Sequence, residues 1–120
     1  MDYHRGTKYL YVLDSPVVVS VDIDVVAEIA GYITLSNRQL TIHPGYAWDG
    51  ASGAIDTQTI MRAALVHDAL YQLMREDRLG SEYFHWANRV FRRLMLEDGV
   101  CKFRAWYVYM AVELFGRRFA

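Results

Sequence analysis

The feature that most constrains the fold of this chain is a change of hydrophobic period near residue 56. Before it, β-branched and aromatic residues dominate, and Ser36 and Asn37 are predicted to turn one hairpin. Residues 25–30 fit either a helical turn or a strand. After residue 56, apolar residues recur at helical spacing. The four predicted strands are KYLYVL (8–13), VVVSVDI (17–23), GYITLS (31–36) and RQLTIH (38–43).

The second half predicts three helices, over residues 57–75, 82–97 and about 100–115. Ser81 can cap the second helix, and Gly99 ends it. Strands followed by helices indicate an α+β fold, in which an antiparallel sheet of hairpins packs on a layer of three helices.

The size of the chain fits a single domain, residues 1–120, with a β-rich part and glycine loop over 1–56 and a helical part over 57–120. Its hydrophobic content of 53% is ample for a core. The formal net charge is −1, which gives no strong field for nucleic acid or an acidic membrane. Lys and Arg number 3 against 7 Asp and Glu in residues 1–60, and 10 against 7 afterwards, so the second half is mildly basic.

Several classes of protein fit poorly. The single cysteine, Cys101, excludes an intrachain disulfide and is expected to be a small buried hydrophobe. No apolar run is long enough for a transmembrane segment, and no signal peptide is evident. The histidines lack zinc-ligand spacing, and no basic face indicates nucleic acid.

The stretch RAALVHDALYQLM (62–74) sets His67 beside Asp68 within an apolar run. At about 100° per residue, His67 falls opposite the polar face of the helix, while Asp68 falls at its boundary. Tyr71 lies one turn after His67, on nearly the same line. The sequence therefore predicts an inward histidine, which must have a hydrogen-bond partner.

The second helix offers that partner. If the first two helices form an antiparallel hairpin, Asn88 lies nearly level with His67 and can hydrogen-bond to it. Trp86 falls on the polar face of this helix and is expected to be exposed, as at a protein contact. The simplest interpretation is a core histidine bridged by Asn88 and Tyr71.

Three motifs suggest a relationship to known proteins. WDGAS (48–52), HDALY (67–71) and SEYFHWANRVF (81–91) occur in that order, and the similarity extends into RAWYVYMAVELFG (104–116). Together they resemble a family of small proteins of tailed phages and prophages, domain of unknown function family 1353. The resemblance implies an accessory or virion-associated protein that works with phage or host proteins, in the infected cytoplasm or in the virion. It does not indicate an oligomeric state.

A more distant resemblance is to phospholipase A2, where a glycine loop precedes His-Asp on a paired helix. It implies that His67 is a catalytic base, with Asn88 in the orienting position and Tyr71 beside it. It also implies that Asp49 and Asp68 are calcium ligands, calcium being the only cofactor suggested. Calcium prefers hard oxygen ligands, which a glycine loop can supply.

Two departures weaken that second resemblance. Asn88 carries no negative charge to stabilise an imidazolium, and the disulfides of secreted phospholipases are absent. Two hypotheses therefore stay open: an accessory protein with an inactive His-Asp site, or a calcium-dependent phospholipid or ester hydrolase. We also predict that the loop of residues 43–56 brings the Asp49 carboxylate close to Asp68, with a cation between them.

Overall fold

A computed structural model describes residues 1–6, 10–48 and 58–120 of the chain. They fall into two compact units, Met1–Gly50 and Ala51–Ala120. The first unit holds antiparallel strands and the second holds three helices, which confirms the predicted α+β class. The expectation that the two parts make one domain stays a prediction.

The strands of the first unit form two sheets, where the sequence predicted one. The smaller sheet has the order β1-β2-β7 and the larger the order β3-β6-β5-β4, and all pairings are antiparallel. The strands are β1 (Tyr3–Arg5), β2 (Tyr11–Leu13), β3 (Val17–Ser20), β4 (Ala27–Ile29), β5 (Ile33–Ser36), β6 (Gln39–Ile42) and β7 (Ala47–Trp48).

The larger sheet owes its register to alternating apolar residues. In β3, Val17 and Val19 are buried while Val18 is exposed. The hairpin between β5 and β6 turns at Asn37 and Arg38, both with positive φ, one residue later than predicted. Two successive residues with positive φ give a turn whose twist matches that of the strands. The ambiguous residues 25–30 contain a strand, β4.

The helices of the second unit are α1 (Gln58–Arg75), α2 (Phe84–Glu97) and α3 (Lys102–Phe115). Each lies close to its predicted range, and a short 3₁₀ turn, Ser81–Tyr83, precedes α2. Gly99, with φ of 95°, ends α2 as predicted. Helix α2 packs against both α1 and α3, so it is the middle member of the unit.

Two side chains lie where the sequence did not place them. Trp86 is only 7% exposed, so its assignment to the polar face was wrong. It shares an edge of α2 with buried Val90, and Tyr83 packs edge-on against its indole. Burial of this large ring removes its apolar area from water, which stabilises the fold. Cys101 is exposed rather than buried, because it lies outside α3, at its N-cap in extended backbone.

Candidate functional site

Helix α1 directs His67 and Tyr71 to the same side, one turn apart. Their ring centroids lie 4.0 Å from each other. His67 is 5% exposed and Asn88, on the facing helix α2, is fully buried. The wheel and the hairpin geometry therefore placed these three side chains correctly.

The Asn88 amide joins three helices. Its Oδ1 lies 2.8 Å from Nε2 of His67 and accepts a hydrogen bond from the Tyr71 hydroxyl at 2.6 Å. Its Nδ2 donates to Oε2 of Glu113, on α3, at 3.0 Å. The predicted pairing of His67 with Asn88 is confirmed, and the cluster reaches further than predicted, to Glu113. We call His67, Tyr71, Asn88 and Glu113 the three-helix cluster.

The hydrogen-bond chemistry of the cluster fixes the tautomer of His67. An ionised carboxylate only accepts hydrogen bonds, so the amide nitrogen of Asn88 must face Glu113. The amide oxygen then faces His67 and Tyr71, and both must donate to it. Neutral His67 therefore carries its proton on Nε2, which leaves the lone pair of the ring on Nδ1.

Aromatic walls keep His67 neutral. The Phe91 ring stacks on the imidazole at a centroid distance of 4.3 Å and an interplanar angle of 15°. Burial lowers the pKa of His67 to about 4, against a smaller opposing effect of the hydrogen bond to Asn88. Burial likewise raises the pKa of Tyr71 well above its ordinary value, so its hydroxyl stays a donor. At neutral pH the imidazole of His67 is therefore uncharged.

Glu113 is the member of the cluster that the sequence did not reveal. Burial raises its pKa, but hydrogen bonds from His85, Tyr109 and Asn88 outweigh burial, so its pKa lies below the ordinary value. Nδ1 of His85 lies 2.6 Å from Oε2, and the Tyr109 hydroxyl donates to Oε1 at 2.8 Å. The carboxylate is thus held ionised behind Asn88. Its signal was available, since Glu113 is the only acid within α3 and follows Tyr109 by one turn.

A glycine at the end of α3 makes room for the Tyr71 hydroxyl. A Cβ atom built on buried Gly116 would overlap that hydroxyl oxygen. The next residue, Arg117, stacks its guanidinium 4.3 Å from the centroid of the Phe84 ring. The carboxyl end of α3 therefore closes the Tyr71 side of the cluster.

The proposed calcium ligands are only partly within the described residues. Asp68 is half-buried at the rim of α1, as the wheel predicted. Asp49 lies outside the described residues, and so does most of the glycine loop, so its approach to Asp68 stays a prediction. Among residues 1–6, 10–48 and 58–120, no group of three His, Cys, Asp or Glu side chains is placed to hold a metal. Calcium takes six to eight oxygens, and Asp68 supplies at most two of them.

Comparison with known proteins places the chain in a family. Residues 24–112 match the family described as protein of unknown function (DUF1353), which is well over half of the chain. The chain belongs to this family. The family match includes His67, Tyr71 and Asn88 and ends one residue before Glu113.

Two other comparisons gave no match. Neither the curated proteins nor the solved structures gave a significant match to the chain. Among the described helices, none is long and apolar enough to cross a bilayer.

Proposed function

We propose that this DUF1353 chain is an accessory protein, encoded by a phage or prophage, whose three-helix cluster stabilises the helices and turns over no substrate. The observation that carries the proposal is the identity of the partner of His67. A neutral amide, Asn88, accepts the hydrogen bond from its Nε2 where the phospholipase-like arrangement requires a carboxylate. The supporting resemblance to phage proteins rests on the three ordered motifs described above.

The energetics of the site support an inactive histidine. A general base must become positively charged as it takes a proton, and the oxygen of an amide stabilises that charge much less than a carboxylate does. Burial lowers the pKa of His67 to about 4, so the site disfavours the imidazolium. Replacing the orienting aspartate of a catalytic triad by asparagine lowers turnover about 10⁴-fold. Asn88 shares with that asparagine the lack of a negative charge, although its oxygen here accepts the hydrogen bond from Nε2.

The alternative function is a calcium-dependent phospholipid or ester hydrolase. One specific observation favours it: the inferred tautomer leaves the lone pair of His67 on Nδ1, as a base requires. The carboxylate of Glu113 stands one amide behind that ring, so a negative charge is present but not in direct contact. In this proposal Asp68 and residues of the glycine loop would hold a calcium ion, whose positive charge would polarise an ester carbonyl.

A pair of substitutions that moves the carboxylate from position 113 to position 88 distinguishes the two functions. Asn88→Asp alone would place two carboxylates in contact, against Glu113, and is expected to destabilise the fold. Asn88→Asp with Glu113→Gln instead exchanges amide and carboxylate between α2 and α3 and keeps a hydrogen bond between them. The double variant sets a carboxylate directly against His67, as a hydrolase requires.

The assay is release of fatty acid from phospholipid mixed micelles, with and without calcium. We expect no calcium-dependent release by the wild type. Release by the wild type that disappears in His67→Ala would overturn the accessory role in favour of the hydrolase. Release that appears only in the folded double variant would identify a scaffold that lost activity through Asn88.

Detection of the chain in purified virions by mass spectrometry would test the proposed virion association. Its presence only in infected cells would restrict the role to the cytoplasm.

A further inference from the structure

One side of α3 is apolar and exposed. Phe103 is 72% exposed, Phe115 64% and Trp106 51%. These are large side chains, and a soluble surface rarely groups so many of them. The α3 apolar face, as we define it, comprises Phe103, Trp106, Tyr107, Leu114 and Phe115 within the helix and Phe119 just beyond it.

The face runs the whole length of the helix and is broad. Phe103, Tyr107 and Leu114 follow each other by four and seven residues, which aligns them along one line. Trp106 and Phe115 are nine residues apart, about 180° around the helix, so they flank that line on either side. The result is a convex strip about 18 Å long that covers roughly half of the circumference and includes half-buried Arg104 near its Phe115 edge.

Basic residues surround this strip. Exposed Lys102 precedes it, and exposed Arg117 and Arg118 follow it. Alongside, Arg89 and Arg92 of α2 both act electrostatically on Tyr109 of α3, and Arg92 lies 5.6 Å from the centroid of that ring.

The only acid of α3 offsets just one of these five positive charges. Glu113 is engaged by His85, Tyr109 and Asn88, and its side chain is mostly buried. The surroundings of the α3 apolar face are therefore cationic at both ends and along one side.

We propose that the α3 apolar face docks on the surface of a membrane that contains anionic phospholipids. Aromatic and leucine side chains on one face of a helix, with Lys and Arg around them, are the features of helices that lie in the bilayer interface. Trp and Tyr prefer the headgroup level, and each basic residue gains from the negative potential of the surface. The inference does not depend on whether His67 is catalytic.

Charge favours an anionic membrane over a second copy of the chain. Two copies joined through this face would bring basic helix ends together in either orientation.

The experiment is binding of the full chain to vesicles of phosphatidylcholine alone and of phosphatidylcholine with phosphatidylglycerol. Trp106 is an internal reporter, since Trp48 and Trp86 are buried. We expect sedimentation with the anionic vesicles only, weaker in high salt, with a blue shift of tryptophan emission that Trp106→Phe removes. Phe103→Ser should weaken binding at least about tenfold. Lys102→Gln and Arg118→Gln should each weaken it about fivefold.

The matched control is Val26→Ser, which removes an exposed apolar side chain from the other unit and should leave binding unchanged. Equal binding to neutral vesicles would overturn the anionic selectivity. A lack of binding to either vesicle would overturn the membrane proposal. Light scattering that shows a dimer in solution, lost in Phe103→Ser, would assign the face to a second copy instead.

Discussion

The two units of this chain solve the problem of burial differently. In the sheet unit, the fully buried side chains of β5 and β6 are all apolar: Ile33, Leu35, Leu40 and Ile42. In the helical unit, two polar side chains are also buried, His67 at 5% exposed and Asn88 at 0%. An apolar core is stabilised by contact area and tolerates many arrangements, whereas a polar cluster is stable only when each member meets its partner. Replacing a single buried polar residue of the helical unit should therefore have the largest effect on the free energy of unfolding.

The largest effect is expected for Asn88→Leu. This change leaves the Nε2 proton of His67 and the Tyr71 hydroxyl without their acceptor and removes one of the three hydrogen bonds to Glu113, so the free energy of unfolding should fall by about 3 kcal/mol or more. Gln39→Leu, at an exposed position of the sheet unit, is the control and should change stability by less than about 0.5 kcal/mol.

Chemical denaturation gives the magnitude, and hydrogen exchange locates the effect. Amides of residues 58–120 should exchange faster in Asn88→Leu than in the wild type. Equal melting curves for Asn88→Leu and the wild type would remove the distinction between the two units.

The second effect is a pH dependence that belongs to the helical unit. Folded His67 stays neutral down to about pH 4, while the unfolded chain takes up its proton near the ordinary pKa of 6.5. Between these values the unfolded state binds more protons, so stability should fall with falling pH, by roughly 3 kcal/mol in all.

His67→Phe should abolish this slope between pH 6.5 and 4. Glu113 should add a loss at lower pH, because its lowered pKa makes its contribution disappear as the carboxylate protonates. The measurement is denaturation at a series of pH values. An NMR titration that gives His67 a pKa near 6.5 would contradict the assigned burial effect.

A smaller effect is expected for Gly116→Ala. The added methyl group meets the Tyr71 hydroxyl, so it should displace that hydroxyl from Asn88 and cost about 1–2 kcal/mol of unfolding free energy. A double-mutant cycle isolates this contact. In a Tyr71→Phe background, which lacks the hydroxyl, Gly116→Ala should cost clearly less. Equal costs in both backgrounds would mean that the methyl group disturbs something other than Tyr71.

The smallest effect concerns an ion pair at the edge of the helical unit. Arg62 of α1 donates two hydrogen bonds of 2.9 Å to the two carboxylate oxygens of Asp98, after the end of α2. Both side chains are partly exposed, so Arg62→Met should cost only about 1 kcal/mol. The cost should shrink in high salt, unlike that of Asn88→Leu. A salt-independent cost would indicate that the stem of Arg62, and not its charge, matters.

The sequence predicted what its periodicity encodes. The apolar repeats located α1 and α2, and the mirror relation within a helical hairpin was enough to pair His67 with Asn88. Glu113 was missed because α3 is apolar nearly all round, so its pattern does not indicate which side meets α2. The short strands β1 and β7 were missed because neither has an alternation long enough to stand out. The sheet-or-helix ambiguity of residues 25–30 was resolved by pairing across β4 and β5, which is not local information.

The three hydrogen bonds on Glu113 also limit how α3 can assemble with its neighbours. A helix with apolar side chains on every side could rotate or slide against α2 with little change in free energy. A slip of one turn, about 5.4 Å, would replace Glu113 opposite Asn88 by Tyr109 or Arg117. A guanidinium has only donors and would face the amide NH₂ group, which also donates. The hydrogen bonds of one acid thus fix both the rotation of α3 about its axis and its position along that axis.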